Sequence, residues 1–455
     1  MRVHFIAIGG AAMHNLAIAL HLKGYQVTGS DDVIYEPSKT RLAKYQILPA
    51  IEGWNADVIT KDLEAVILGM HARIDNPELV RAQELGIPIY SYPAYIYEQS
   101  INKKRIVVGG SHGKTTITSM ILHVLKFYNL SFDYLVGAQV EGFDNMVKLS
   151  DAPIIVIEGD EYLASPIDRR PKFHLYKAHI GVISGIAWDH INVFPTFEGY
   201  KEQFSLFIDT IQADGKLIYC QEDDILTELV NKHQFKKPLE LVPYKTPNFK
   251  IEDGLTYLHS TEGEVELSVF GRHNLMNLSA ARLVCEEIGV CEGDFFKVIK
   301  SFKGAAKRLE VLSKTTNSVI YKDFAHSPSK LKATIEAVKE QFPNRKLIAC
   351  IELHTFSSLN PDFLLEYRDT MYGADFAIVL IDEKSFIQKK MKPFSETVVR
   401  QAFNFDKLNF FNSSVKTKEY IDSLEINNTN LLLMSSGTFG GIDLNLLVKH
   451  LHLKL

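Results

Sequence analysis

The stretch Val107-Val108-Gly109-Gly110-Ser111-His112-Gly113-Lys114-Thr115-Thr116 constrains this chain more than any other, because a buried strand ends in a glycine turn and a helix follows from Thr118. A strand that hands over to a helix in this way reads as part of a βα unit in a parallel sheet. The junction is also an anion nest, since turn amides and a helix N-terminus converge on one point suited to phosphate. Lys114 is placed to reach the outer phosphates of a nucleoside triphosphate, and the Thr115 hydroxyl to ligate Mg²⁺. The strict G-x-x-x-x-G-K-[ST] pattern is not met, because its first glycine falls at Val108. The loop is the shorter Gly110–Thr116, in which Ser111, His112, Gly113 and Thr116 complete the candidate nucleotide cradle.

Such a unit needs sheet neighbours, and alternating strand and helix patterns supply them in three regions. Residues 1–98 read as strands Val3–Ile8, Gln26–Thr28, Ala65–Leu68 and Ile89–Tyr90 with helices between them. The polar run Glu98–Arg105 reads as a solvated linker, and a second region, 104–304, carries strands Ile106–Val108, Ile154–Ile157, Ile180–Ile183 and Lys216–Ile218. Its last helix, Leu275–Gly289, ends on glycine. A third region, 305–455, holds strands Ser318–Tyr321, Leu347–Ile351, Phe376–Val379 and Leu431–Met434 and a helix Lys330–Gln341. The fold class expected is therefore α/β in three domains, which fits 455 residues with 46% hydrophobic composition.

Charge and hydropathy narrow the function. Fifty Lys and Arg against 55 Asp and Glu leave a net charge of −5, so there is no overall positive field to hold a nucleic acid. The apolar runs are strand-length, short of the ~20 residues a membrane-spanning helix needs. The N-terminus reads as a strand entering a glycine turn and lacks the ordered regions of a signal peptide, so a cytoplasmic location is expected. Cys220, Cys285, Cys291 and Cys350 are scattered and read as buried thiols, not as a disulfide framework or zinc site.

Further candidates surround the glycine loop. Ile154–Ile157 delivers Glu158-Gly159-Asp160-Glu161 at a strand end, where a phosphate-bound metal needs a second protein contact. His190, in Ile186–His190, is a weaker metal candidate that gains weight from the loop and Glu158. At the N-terminus Gly9-Gly10 and, some twenty residues on, Ser30-Asp31 suggest a nucleotide diphosphate on a helix N-terminus with a ribose nearby. The full G-x-G-x-x-G is missing, which counts against a dehydrogenase. Lys307-Arg308-Leu309-Glu310 and Asp323-Phe324-Ala325-His326-Ser327-Pro328 open the third region.

Taken in order, G-S-H-G-K-T-T, E-G-D-E, W-D-H, G-R-H-N, K-R-L-E and D-F-A-H-S-P resemble the ATP-dependent Mur ligase family over essentially the whole chain. The resemblance implies a Rossmann-like UDP-sugar domain at 1–98, a P-loop ATPase domain at 104–304 and a Rossmann-like C-terminal domain at 305–455. It implies ATP and Mg²⁺ as cofactors, with Lys114 and Thr115 on phosphates and metal, Glu158 and His190 on metal, and His273 and Asn274 on the adenine side. Arg308 and Asp323 would complete the nucleotide site, with His326 near it. Gly9, Gly10, Ser30, Asp31, His71, Arg169 and Arg170 are assigned to substrate.

Within the family, Gly29–Asp31 with Tyr35 and Pro37, Glu161-Tyr162 with Asp168–Phe173, Asp323–His326 and Ser435–Ile442 are most similar to members that act in peptidoglycan recycling. Those members join L-alanyl-γ-D-glutamyl-meso-diaminopimelate to UDP-N-acetylmuramate through an acyl phosphate. Ala12, His14, Asn15, Leu163 and Ala187 depart from the family pattern. Two alternatives stand beside this reading: an L-alanine ligase of precursor synthesis, and a P-loop regulatory NTPase that senses a nucleotide sugar.

Overall fold

The computed structural model describes residues 1–189, 191–261, 263–305 and 308–452. They divide into two compact units. The first comprises Met1–Ile186, Phe197–Lys245 and Leu278–Phe295; the second comprises Ala187–Thr196, Thr246–Asn277 and Phe296–Leu455.

The first unit contains two sheets. Strands β1 (Arg2–Ile6), β2 (Gln26–Ser30), β3 (Ala65–Leu68) and β4 (Ile89–Ser91) pair in parallel in the order β2-β1-β3-β4. The second sheet has seven strands: β5 (Lys104–Gly109), β6 (Asp133–Leu135), β7 (Val147–Lys148), β8 (Ile154–Glu158), β9 (Ile180–Ile183), β10 (Gly215–Cys220) and β11 (Leu239–Tyr244). Their order is β11-β10-β9-β5-β8-β6-β7, with only the short edge strand β7 antiparallel. Strands such as Ile106-Val107-Val108 and Ile155-Val156-Ile157 are fully buried apolar runs, as expected where helices cover both faces of a parallel sheet. β5 lies between β8 and β9, from which the chain continues to opposite edges. The loop leaving β5 therefore sits at a topological switch point, where open α/β sheets gather ligands.

In the second unit, β12 (Phe249–Glu252), β13 (Leu255–Ser260) and β14 (Gly263–Leu267) form an antiparallel sheet. The sequence reading missed it, although Phe249-Lys250-Ile251-Glu252 and Glu264-Val265-Glu266-Leu267 alternate apolar and polar residues as half-buried strands do. A six-stranded sheet follows: β15 (Glu310–Lys314), β16 (Val319–Asp323), β17 (Lys346–Glu352), β18 (Phe376–Leu380), β19 (Leu408–Phe411) and β20 (Thr429–Met434), in the order β15-β16-β20-β17-β18-β19. Its two faces bury alternate residues. Leu347, Ala349 and Ile351 belong to one core, and Ile348 and Cys350 to the other.

Two expectations need correction. The run Glu98–Arg105 is not a solvated linker. Lys103 is buried, giving its ammonium to the Ser150 and Ala152 carbonyls at 2.7 Å each and to Asp133 at 2.9 Å. Arg105 is buried too, donating to Ser100 O at 2.7 Å and to Lys177 O at 3.1 Å. Of the four cysteines, three are buried as expected, but Cys291 is exposed. Among the described residues no helix is long and apolar enough to cross a membrane.

Candidate active site

The glycine loop opens at Gly110, whose φ of +128° only glycine adopts without strain, and closes at Gly113, φ +77°, the residue that caps helix Lys114–Phe127. Close approach adds a second reason for glycine at 110: a Cβ there would lie 2.1 Å from Ser184 Oγ and 2.9 Å from Ser184 N. The helix begins four residues before the Thr118 expected from sequence, so Lys114 and Thr115 lie in its first turn. Ser111 N donates to Gly185 O at 3.0 Å and Ser111 Oγ lies 2.9 Å from Tyr200 Oη. The His112 ring packs so tightly over Gly185 that a Cβ there would lie 2.7 Å from Cε1. The loop is thus held against the end of β9.

Register explains why the acidic motif meets this loop, since Val108 in β5 pairs with Glu158 in β8. Glu158 Oε1 accepts the Thr115 hydroxyl at 2.8 Å, and Oε2 accepts the Gly137 amide at 2.8 Å. Lys114 Nζ donates to Gly110 O and to Glu161 Oε2, both at 2.6 Å, and the Tyr200 hydroxyl reaches Glu161 Oε1 at 3.2 Å. Burial works against the Lys114 ammonium, but Glu161, Asp160 and Glu158 outweigh it and hold its pKa above the ordinary lysine value. Burial likewise pushes the Glu158 carboxyl up, against the Gly137 amide, Lys114 and Thr115. The sequence reading missed Glu161 as the lysine's partner, though it stood in the quoted motif; nothing in the sequence pointed to Tyr200 or the Gly137 amide.

Among the described residues no group of three His, Cys, Asp or Glu could hold a metal ion. His190 lies outside the described residues. Thr115 and Glu158 present two adjacent hard oxygens, which suits a cation such as Mg²⁺ that takes few protein ligands and fills its shell with water and phosphate.

At the end of β1, Asp31 Oδ2 accepts the Gly9 amide at 2.7 Å, and Gly10 caps helix Ala11–Leu22 with no side-chain bond. Burial, with help from Asp32, pushes the Asp31 carboxyl up to about 6. Ser30 is buried and its carbonyl accepts Ala7 N and Ile8 N, so the Gly9-Gly10 turn and the Ser30-Asp31 strand end form one piece. His71 is exposed in the loop after β3. Arg170, assigned to substrate by the resemblance, already has a carboxylate partner in the chain, Asp168 at 2.7 Å, and nearby Lys172 pairs with Asp160 at 2.6 Å. Arg169 is exposed.

The second unit carries the remaining candidates. Asp323, buried at the end of β16, accepts Leu309 N and Ala325 N at 2.7 Å each. It thereby ties the Arg308 and His326 loops to one strand. The Arg308 guanidinium lies over the Phe324 ring at 4.8 Å. His326 Nδ1 is 2.8 Å from Phe324 O, and burial, with Lys330, pushes its pKa down to about 3. Burial, with Arg308, pushes His273 down to about 4. Asn274 turns back to donate to Phe270 O at 2.9 Å.

Comparison with known proteins agrees with this layout. The domain descriptions Mur ligase family, catalytic domain, and Mur ligase middle domain match residues 2–103 and 108–285. The UDP-N-acetylmuramate–L-alanine ligase of Aquifex aeolicus is 30% identical over 408 residues, 88% of this chain and 85% of that protein. The chain belongs to the Mur ligase family. As a Mur ligase it is an ATP-dependent enzyme that forms amide bonds. Another relative is the UDP-N-acetylmuramate–L-alanyl-γ-D-glutamyl-meso-2,6-diaminoheptandioate ligase of Escherichia coli, 27% identical over 98% of both chains. The crystal structure of a murein peptide ligase from Psychrobacter arcticus superposes with a TM-score of 0.64 at 21% identity, covering 99% of both chains, and so shares the fold. The Mur ligase architecture expected from the motifs, α/β with Rossmann-like ends and a P-loop centre, is the one observed.

Proposed function

We propose that this Mur ligase joins L-alanyl-γ-D-glutamyl-meso-diaminopimelate to the lactyl carboxylate of UDP-N-acetylmuramate, with ATP converted to ADP and phosphate. The ATP half rests on Lys114, held in a positive-φ glycine loop beside Thr115 and Glu158. The choice of a peptide amine is favoured by the match to the Escherichia coli ligase, which runs end to end where the Aquifex aeolicus match stops at 88% of this chain. The proposed domains are 1–98 for the UDP-sugar, 104–304 for ATP and 305–455 as a Rossmann-like C-terminal domain.

In this reading ATP supplies the phosphoryl group that turns an unreactive carboxylate into an acyl phosphate; the peptide amine then attacks the acyl carbon, phosphate leaves and the amine loses a proton. Lys114 stabilises charge on the transferring phosphoryl, and the loop amides hold the remaining phosphates. Three carboxylates, Glu158, Asp160 and Glu161, face two ammoniums, Lys114 and Lys172, a formal −1. A triphosphate brought to that charge needs a cation between, and Thr115 and Glu158 are the residues that would hold Mg²⁺, with His190 as the family resemblance implies. Gly9, Gly10, Ser30, Asp31 and His71 are assigned to the nucleotide sugar, His273, Asn274, Arg308 and Asp323 to the nucleotide, and His326 and Arg169 to the reacting side.

ADP release with UDP-N-acetylmuramate and competing amines tests this. The tripeptide is expected to exceed L-alanine by at least tenfold in kcat/KM, which needs only ~1.4 kcal/mol of differential binding. Equal efficiency or a preference for L-alanine would assign the enzyme to precursor synthesis, and turnover indifferent to amine would favour a regulatory NTPase.

A further inference from the structure

The first sheet hides a buried histidine–glutamate contact that the proposed chemistry does not use. His4, in the middle of β1, is 1% exposed, and Glu78, in the first turn of helix Pro77–Glu84, is 0% exposed. Their contact, His4 Nε2 to Glu78 Oε2, is 3.2 Å, and it lies on the sheet face where Ile6, Val66, Leu68 and Leu79 form an apolar core. A charged or strongly polar pair in such a place is weak evidence for stability, because apolar residues of the same volume generally do as well or better. What it does supply is fixed geometry, and its hydrogen bonds show where that geometry is used.

Glu78 Oε1 accepts the Asn55 amide at 2.9 Å, and helix capping by Asn76 fixes Glu78 itself, with Glu78 N donating to Asn76 Oδ1 at 2.9 Å. On its other side His4 Nδ1 lies 2.9 Å from Thr28 Oγ1, while Nε2, the atom that meets Glu78, also lies 3.5 Å from Ser30 Oγ. The pair therefore touches two backbone segments at once: β2 as it reaches Ser30, and the loop Glu52–Asn55. Those two segments are joined again one step farther out. Gly53 N donates to Asp31 O at 2.7 Å, and Ile34 N donates to Glu52 Oε1 at 3.3 Å. Asp31 in turn holds Gly9 N, and Ser30 O holds Ala7 N and Ile8 N.

We infer that Glu78, acting through His4 and the Asn55 amide, is a positioning residue that sets the Ser30-Asp31 strand end and the Gly9-Gly10 turn for a UDP-sugar. The inference rests on the nucleotide-sugar reading of that turn. Neither Glu78 nor His4 needs to touch the ligand. Loss of the carboxylate frees the Asn55 amide and lets the His4 ring turn, and both movements reach Asp31 through bonds already described.

Calorimetric titration of the full chain with UDP-N-acetylmuramate, and separately with ADP, tests it. Glu78→Ala is expected to weaken the UDP-sugar at least about tenfold with ADP affinity unchanged, because the glycine loop after β5 does not depend on the pair. Glu78→Gln keeps an oxygen for Asn55 N and an amide for the imidazole, and is expected to restore most of the affinity. Thr28→Val, at an exposed position, removes the His4 Nδ1 partner together with a long 3.4 Å bond from Thr28 Oγ1 to Val3 O, and is expected to cost about threefold; it carries the test if Glu78→Ala does not fold. Parent affinity for the UDP-sugar in a folded Glu78→Ala chain, or in Thr28→Val where that carries the test, overturns the inference, as does an equal loss for ADP. A parent chain that binds ADP but no UDP-N-acetylmuramate overturns the nucleotide-sugar reading, and the inference with it.

Discussion

Replacing Asp323 separates a structural clamp from a purely chemical role. The residue is 5% exposed, and its carboxylate accepts two backbone amides at 2.7 Å, from Leu309 and Ala325, with the Thr334 hydroxyl at 3.4 Å. Asp323→Ala leaves both amides without that acceptor, at about 1–3 kcal/mol each where water cannot replace it. Leu309 sits at φ +45°, a conformation costing about 1–2 kcal/mol for a residue with a Cβ, and part of that strain is relieved once its amide is released. The expected net loss is about 2–4 kcal/mol. Asp323→Asn keeps one acceptor oxygen and turns an amide donor toward the other N–H, so its loss should fall near half, about 1–2 kcal/mol. The chain has two tryptophans, and Trp188 packs edge-on to Phe363 in the second unit at 6.2 Å between ring centres. Urea unfolding followed by Trp188 fluorescence in a Trp54→Phe background therefore reports the unit that contains Asp323. An Ala variant within ~0.5 kcal/mol of its parent would refute the clamp, whatever it does to turnover.

Gly110→Ala is expected to abolish ATP binding and lower the melting temperature, because a Cβ at φ +128° would meet Ser184 N at 2.9 Å; normal ADP release in the purified variant would refute the loop geometry. The depressed pKa values of His326, about 3, and His273, about 4, make stability depend on pH in a definite direction. Both stay neutral in the fold while the unfolded chain takes up protons below about 6.5, so their contribution is full above that pH and is lost as pH falls toward 4, at about 1.4 kcal/mol per unit for each. Urea midpoints between pH 7.5 and 5 should fall accordingly and fall less steeply in His326→Gln; a slope unchanged by that substitution would contradict the buried neutral imidazole.

How much of this was legible in the sequence depended on whether a feature is local. Strand Ala65–Leu68 and strand Ile180–Ile183 were bounded to the residue, because unbroken apolar runs flanked by polar turns leave little choice. The glycine loop was legible for the same reason, since Gly110 and Gly113 announce backbone angles that other residues resist. The antiparallel strands Phe249–Glu252, Leu255–Ser260 and Gly263–Leu267 were passed over for the opposite reason: two of them alternate apolar and polar residues, but they are short and largely uncovered and offer no unbroken apolar run.

Charge partners were the least readable part of the site, and the reason is physical. A lysine reads in sequence as solvated unless a fold brings carbonyls or carboxylates to it from far along the chain. Lys103 is met by Ser150, Ala152 and Asp133, while Lys114 is met by Glu161. Each contact is created by strand order, not by neighbours in sequence: Asp133 begins β6 and Glu161 follows β8, and only the order β5-β8-β6 carries them toward the residues that flank β5. The Mur ligase motifs name the residues proposed to act on substrate, and they are silent about the buried partners that hold those residues still. His4 and Glu78 belong to that silent class: 74 positions apart, in no motif, and joined only because a helix N-terminus is laid across β1.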